Sequence, residues 1–290
     1  MFRFTALVPI GLALAPLLPA QSGYVALSKS LLEWKKEIEA KGGGKLIAVR
    51  VYTDPLRNEM SLPADTEQRA ILRRYFLDES FRGLLVRAHS LSVNYGGSEG
   101  KYHFVLLNMA LAEQWSGQEE ALLADEFGHA WLSAQGYGAP DYRPGAEACV
   151  GVQAGNVVQH VLIREELERR GTRYREHWLR TLESALAKLE SGTAIPLAAI
   201  PPCERLAQLA LWVEVRMSLS AELWPNFSGF QQMMSKRYPE IRASSEQIEN
   251  LLGEMKPAGP GQLPAREAYQ SAREQVVSKF TELYTQGLRP

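Results

Sequence analysis

The chain has 290 residues, 46% of them hydrophobic and 22% charged, with 32 Lys and Arg against 33 Asp and Glu. This balance excludes a disordered polymer, a collagen-like repeat and a polybasic nucleic-acid arm, and a formal charge of -1 gives no pull toward nucleic acid or an anionic membrane. A chain of this length can bury an adequate core, as one large domain or two small ones, without metal or disulfide staples.

Residues 1–20 read as a leader rather than as part of the fold. The basic start Met1-Phe2-Arg3-Phe4 is followed by the apolar run TALVPIGLALAPLLP and small Ala20, the layout of a secretory signal peptide cleaved between Ala20 and Gln21. A spanning helix needs about 20 apolar residues; this run is shorter and is interrupted by Pro9, Pro16 and Pro19. No later stretch is apolar enough to span, so no stable membrane span is expected after cleavage, and the protein is expected to be secreted or periplasmic. Export bears on Cys149 and Cys203, which can pair in an oxidising compartment or stay as buried free thiols; the sequence leaves both open.

In chain order, residues 28–40 predict a helix that stops at Gly42-Gly43-Gly44, and 45–53 (KLIAVRVYT) predict a strand. Helices are expected over 64–76 and 79–90, turn chemistry over 94–100 (NYGGSEG), and a second strand over 102–108 (YHFVLLN). Ser116 and Glu119 fit a capping box that opens a helix over 117–135, with Gly136 placed to end it. A loop over 137–145 leads to a helix over 153–170 ending at Gly171, its start blurred by Gly151 and Gly155. Beyond it, Leu179, Leu182, Leu186 and Leu189 recur at helical spacing, as do Leu206, Leu209, Val213 and Met217, and Tyr269, Ala272, Val276 and Phe280. Residues 258–264 read as a linker. The predicted fold class is α+β, predominantly helical, with a small N-terminal sheet, a central helix and a C-terminal helical region. The expected divisions are a leader at 1–20, a core at 21–198 and a helical region at 199–290, a soft boundary that also admits one domain.

The chemistry concentrates in the capped helix, which reads Leu122-Leu123-Ala124-Asp125-Glu126-Phe127-Gly128-His129-Ala130-Trp131. Spacings of three (Glu126 to His129) and four (Asp125 to His129) bring all three onto one helical face. An apolar helix holding Asp, Glu and His together needs a reason, because burying unpaired charge is expensive; a bound metal or a solvent-facing site supplies one.

This stretch resembles the active-site helix of zincin metallopeptidases, the H-E-x-x-H group, with DEFGH where the family has its first His. The resemblance covers about residues 100–170 and is specific over some ten of them. It implies a zincin-like fold in which an edge strand, 102–108 by this reading, precedes the active helix and aligns a peptide substrate. It implies Glu126 as general base and His129 as a zinc ligand, with Asp125 standing at the first ligand position. A third ligand should come from a later helix. His160 is the leading candidate, with Glu165 and Glu166 behind it; the alternative for those two is i,i+4 pairing with Arg169 and Arg170 on a solvated face. Tyr137, Tyr142, Tyr174 and His177 are all candidates for an oxyanion-steadying group, while His89 and His103 read as structural or exposed.

Asp125, His129 and His160 would supply the two-His, one-carboxylate inventory of thermolysin-type sites, with the shorter Asp drawing the metal closer to the helix. Three readings follow. One is an exported pseudo-peptidase or divergent metal-binding hydrolase. The second is an active secreted zinc-dependent peptidase, and the third a non-catalytic helical exported protein. Zinc is the implied cofactor and a peptide or protein the implied partner; oligomeric state is not legible.

Overall fold

The computed structural model describes residues 23–42, 44–86, 88–97, 100–138, 148–191, 199–255 and 262–285. The expected leader at 1–20, Tyr142 and most of the expected 258–264 linker lie outside them.

After α1 (Lys29–Gly42) and β1 (Lys45–Val51), three short helices follow: α2 (Pro55–Ser61), α3 (Thr66–Leu77) and α4 (Glu79–Leu85). Each starts on an aspartate. The side chains of Asp54, Asp65 and Asp78 accept from the backbone N–H of Arg57, Gln68 and Phe81, satisfying one orphan donor at each helix start. The helix expected to reach residue 90 ends at Leu85, and the chain re-enters the sheet as β2 (Ser90–Gly97), which pairs with β3 (Gly100–Asn108).

The sheet has the order β1-β3-β2, with β1 parallel and β2 antiparallel to β3. Two expectations are corrected here. The 102–108 strand is central, not at an edge; its run Phe104-Val105-Leu106-Leu107 lacks a polar alternate face and is buried throughout, as suits a strand covered on both sides. The edges are β1 and β2, and Asn94 and Tyr95 of β2 pair with His103 and Tyr102 rather than forming a turn. Cross-strand pairing overrides local turn preference. The two-residue side-chain period then splits the sheet's faces. Leu46, Ala48, Val105 and Leu107 join the main core, while Ile47, Val49, Phe104 and Leu106 pack with Ile71, Leu72, Phe81 and Leu85 in a smaller one.

A 3-10 turn (Met109–Leu111) and the short α5 (Ala112–Trp115) lead to α6 (Glu119–Ala134). The expected capping box does not form. Gly117 turns the chain at φ +77°, α6 begins at Glu119, and Gln118 makes no side-chain cap bond. The helix does end at Gly136 (φ +82°), where the N–H groups of Gly136 and Tyr137 donate to the carbonyls of Ser133 and Leu132. Leu122, Leu123, Phe127, Ala130 and Leu132 are all buried, so α6 is a core helix covered nearly all round.

α7 (Ala148–Arg169) begins earlier than expected, because Gly151 and Gly155 are accommodated inside it. It crosses α6 closely: a Cβ on Gly128 would lie 2.4 Å from Cγ2 of Ile163. The remaining helices are α8 (Tyr174–Ser191), α9 (Pro202–Ser218), α10 (Phe227–Arg237), α11 (Pro239–Glu254) and α12 (Arg266–Thr285). Cys149 at the start of α7 is bonded to Cys203 at the start of α9, with Cα atoms 5.7 Å apart. Phe127, Val158, Val213 and Phe280 belong to one continuous core running from α1 to α12. Among the described residues no helix is long and apolar enough to cross a membrane.

Candidate metal centre

Asp125 and His129 lie one turn apart on α6 and His160 faces them from α7, where the Gly128–Ile163 contact lets the helices approach. One ligand atom from each of the three falls within 4.8 Å of the other two. The Nε2 atoms of His129 and His160 are 3.2 Å apart, and His160 Nε2 is 3.7 Å from Asp125 Oδ2. Donor atoms bonded at about 2.0–2.2 Å to a common tetrahedral ion sit at separations of this order.

The outer nitrogens of both rings are already committed. His129 Nδ1–H donates to Oε1 of Gln159 at 2.8 Å, and the Gln159 amide donates to the carbonyl of Gly138 at 3.1 Å, which fixes its orientation. His160 Nδ1–H donates to Glu214 on α9 at 2.8 Å. With Nδ1 protonated on both rings, both Nε2 lone pairs point inward at one spot. Two lone pairs do not tolerate such a separation unaided; a shared proton or a cation must lie between them. The other oxygen of this carboxylate, Asp125 Oδ1, is buried with no hydrogen-bond partner among the described residues, an orphan acceptor that a cation bound by the carboxylate would help to satisfy.

The surrounding charges are ordered. Glu214 is held well below the usual carboxylate range: burial opposes this, but the charges of Arg164 and His160 outweigh it. Burial also disfavours protonated His160, yet the Glu214 and Asp125 carboxylates raise its pKa. His129 is pushed down to about 4, by burial first and then by the neighbouring His160. Both shifts favour His160 over His129 as the holder of a shared proton. Arg164 is buried, pairs with Glu214, donates to Ser218 Oγ at 2.8 Å and lies 3.8 Å from the centroid of Trp178.

Glu126 is buried beside this cluster and accepts from the hydroxyl of Ser90, the first residue of β2, at 2.8 Å. Burial, and secondly the Asp125 charge, push its pKa up to about 8. The sequence candidates elsewhere separate clearly. Glu165 is exposed. Glu166 is not on a solvated face: it is 3% exposed, but paired with Arg169 and Arg170 away from the cluster. Tyr137 donates its hydroxyl to the carbonyl of Pro264 and packs edge-on against Tyr269. Tyr174 is buried and its pKa raised, by burial first and then by Asp125. His177 contacts Gln118 and is lowered chiefly by burial, with the Asp125 charge opposing. Tyr174 and His177 thus border the site. His103 is a sheet residue bonded to Asn94, and His89 contacts Gln114.

Sequence reasoning missed Glu214, Gln159, Arg164 and Ser90. A signal existed for Glu214 and Gln159, each a lone polar residue in an apolar run: LALWVEV for Glu214, and VVQHVL for Gln159, where it adjoins His160. No protein-family model, curated protein or solved structure matches the chain.

Proposed function

We propose that the chain is an exported, zincin-like protein with a divergent divalent-cation centre at Asp125, His129 and His160, serving as a metal-dependent hydrolase of peptide-type bonds. The single observation behind this is the convergence of one donor atom each from Asp125, His129 and His160 within 4.8 Å of one another, with the two imidazole Nε2 atoms 3.2 Å apart. A zinc ion held there would supply Lewis acidity and a water acidified to about pKa 7. Gln159 and Glu214 orient the two rings, and Glu126 takes and returns the proton at its carboxylate. Ser90 holds Glu126 from the start of edge strand β2, along which an extended peptide could pair through its backbone. Export is supported by the leader-like residues 1–20 and by the Cys149–Cys203 bond, which suits an oxidising compartment.

One observation favours a second reading, a pseudo-peptidase that keeps the cation and binds peptide without cleaving it. Glu126 is engaged by Ser90, and burial, then the Asp125 charge, push its pKa up to about 8, which favours the neutral acid over the carboxylate a general base needs. One pair of measurements tests both. Zinc at 100 times its dissociation constant should stabilise the folded protein by about 2.7 kcal/mol, read as a rise in melting temperature; no rise ends both readings. Glu126→Gln should leave that rise intact and cut peptide hydrolysis about 10²- to 10⁴-fold. Wild-type protein that binds zinc but cleaves no peptide in a diverse library selects the second reading.

A further inference from the structure

α7 and α9 run side by side in the same direction, and three of their facing pairs share one sequence offset of 54 residues: Cys149 with Cys203, His160 with Glu214, and Arg164 with Ser218. On each helix the His–Glu pair lies eleven residues beyond the cysteine. Eleven residues make just over three full turns of about 3.6 residues, so disulfide and His–Glu pair fall on the same face of each helix. Slipping one helix by a single residue would rotate its face by about 100° and move it about 1.5 Å, carrying Glu214 away from His160. Glu214, set in the apolar run LALWVEV, meets two partners there, the His160 ring and the Arg164 guanidinium.

We infer that Glu214 is the positioning residue for His160, and that the Cys149–Cys203 disulfide sets the helix register in which it acts, so that the cation affinity of the site depends on the disulfide being closed. This rests on the reading of Asp125, His129 and His160 as a cation site. Glu214 touches no cation donor atom other than through His160: it fixes the proton on Nδ1 and so aims Nε2 inward. The covalent bond lies at the helix starts, three turns away, where both cysteines are partly accessible to a reductant.

The test is cobalt(II) titration of the full chain, followed by its visible ligand-field absorption, with folding checked by circular dichroism. Oxidised wild type should bind most tightly. Glu214→Gln, which keeps the volume and an acceptor for Arg164, should bind about 10- to 100-fold more weakly and with a changed cobalt spectrum. Glu214→Asp should restore part of the loss. The pair Cys149→Ser and Cys203→Ser should weaken binding about tenfold or more with the fold retained; reducing folded wild type with a phosphine makes the same comparison without requiring the variant to fold. If wild type binds cobalt and both Glu214→Gln and the disulfide-free forms match it within twofold, the inference fails while the cation site stands. If only the disulfide-free forms match it, the register role is overturned. If wild type takes up no cobalt, the cation reading and this inference fall together.

Discussion

The pivotal residue is Asp125, because it departs from the zincin pattern and yet meets both histidines. If Asp125 ligates the cation, its carboxylate acts through charge as well as shape, so Asp125→Asn, which keeps the shape, is expected to lower zinc affinity by about 100-fold or more, beyond the losses expected for residues that only orient a ligand; isothermal titration checks it. Much of this was legible in sequence. Helical spacing alone puts Asp125, Glu126 and His129 on one face, and His160 stands out as an imidazole in an otherwise apolar stretch. The partners were not legible for a physical reason: Gln159 reaches His129 and Glu214 reaches His160 across helix–helix contacts separated by 30 and 54 residues, and no local period encodes such pairings. Ser90 is a further case, visible only once the helix expected through residue 90 is seen to stop early.

At the scale of elements, the close crossing of α6 and α7 determines whether the two histidines can meet. Gly128 permits it, because a methyl there would lie 2.4 and 3.0 Å from Cγ2 and Cγ1 of Ile163, a fully buried and β-branched side chain with little freedom to yield. Gly128→Ala should cost about 1–3 kcal/mol in denaturant unfolding by overpacking, and weaken zinc binding by forcing His129 and His160 apart. A second inter-element contact ties α1 to α7: Arg170 pairs with Glu37 at 2.6 Å and lies 4.5 Å from the centroid of Trp34. Burial would raise the Glu37 pKa, but the Arg170 hydrogen bond and charge lower it overall. A carboxyl depressed in the folded state stabilises above its unfolded pKa and loses that contribution as pH falls through the folded value. Glu37→Gln should therefore be less stable than wild type at pH 7, with the gap closing below about pH 4.5; melting curves across pH measure it. The half-exposed setting keeps the effect small. Elements were readable where periodicity and tertiary context agree, as in α9 or α12, and misread where they conflict. Asn94 to Gly97 carries turn residues but is held extended by β3, and the Ser116–Glu119 signature is cancelled by the left-handed Gly117.

For the whole molecule, the predominantly helical α+β character followed from the sequence because helical spacing recurs along most of the chain, while the strand order did not, since pairing is non-local. The disulfide closes a loop of 54 residues, for which chain entropy implies a stabilisation of about 4 kcal/mol; the Cys149→Ser, Cys203→Ser form should unfold at correspondingly lower denaturant. The sheet also acts as a partition. One face joins the large core that carries the candidate centre, and the other rests on the small cluster of α3 and α4, near which Leu56, Met60, Leu77 and Val86 remain exposed. Fluctuations on the two sides need not be linked. Amide deuteration followed by mass spectrometry should label α2 to α4 well before α6 and α7, and Leu72→Ala should accelerate that labelling without slowing or weakening zinc uptake. That outcome would mean that one side of the sheet opens and recloses while the side chains on the other stay in place.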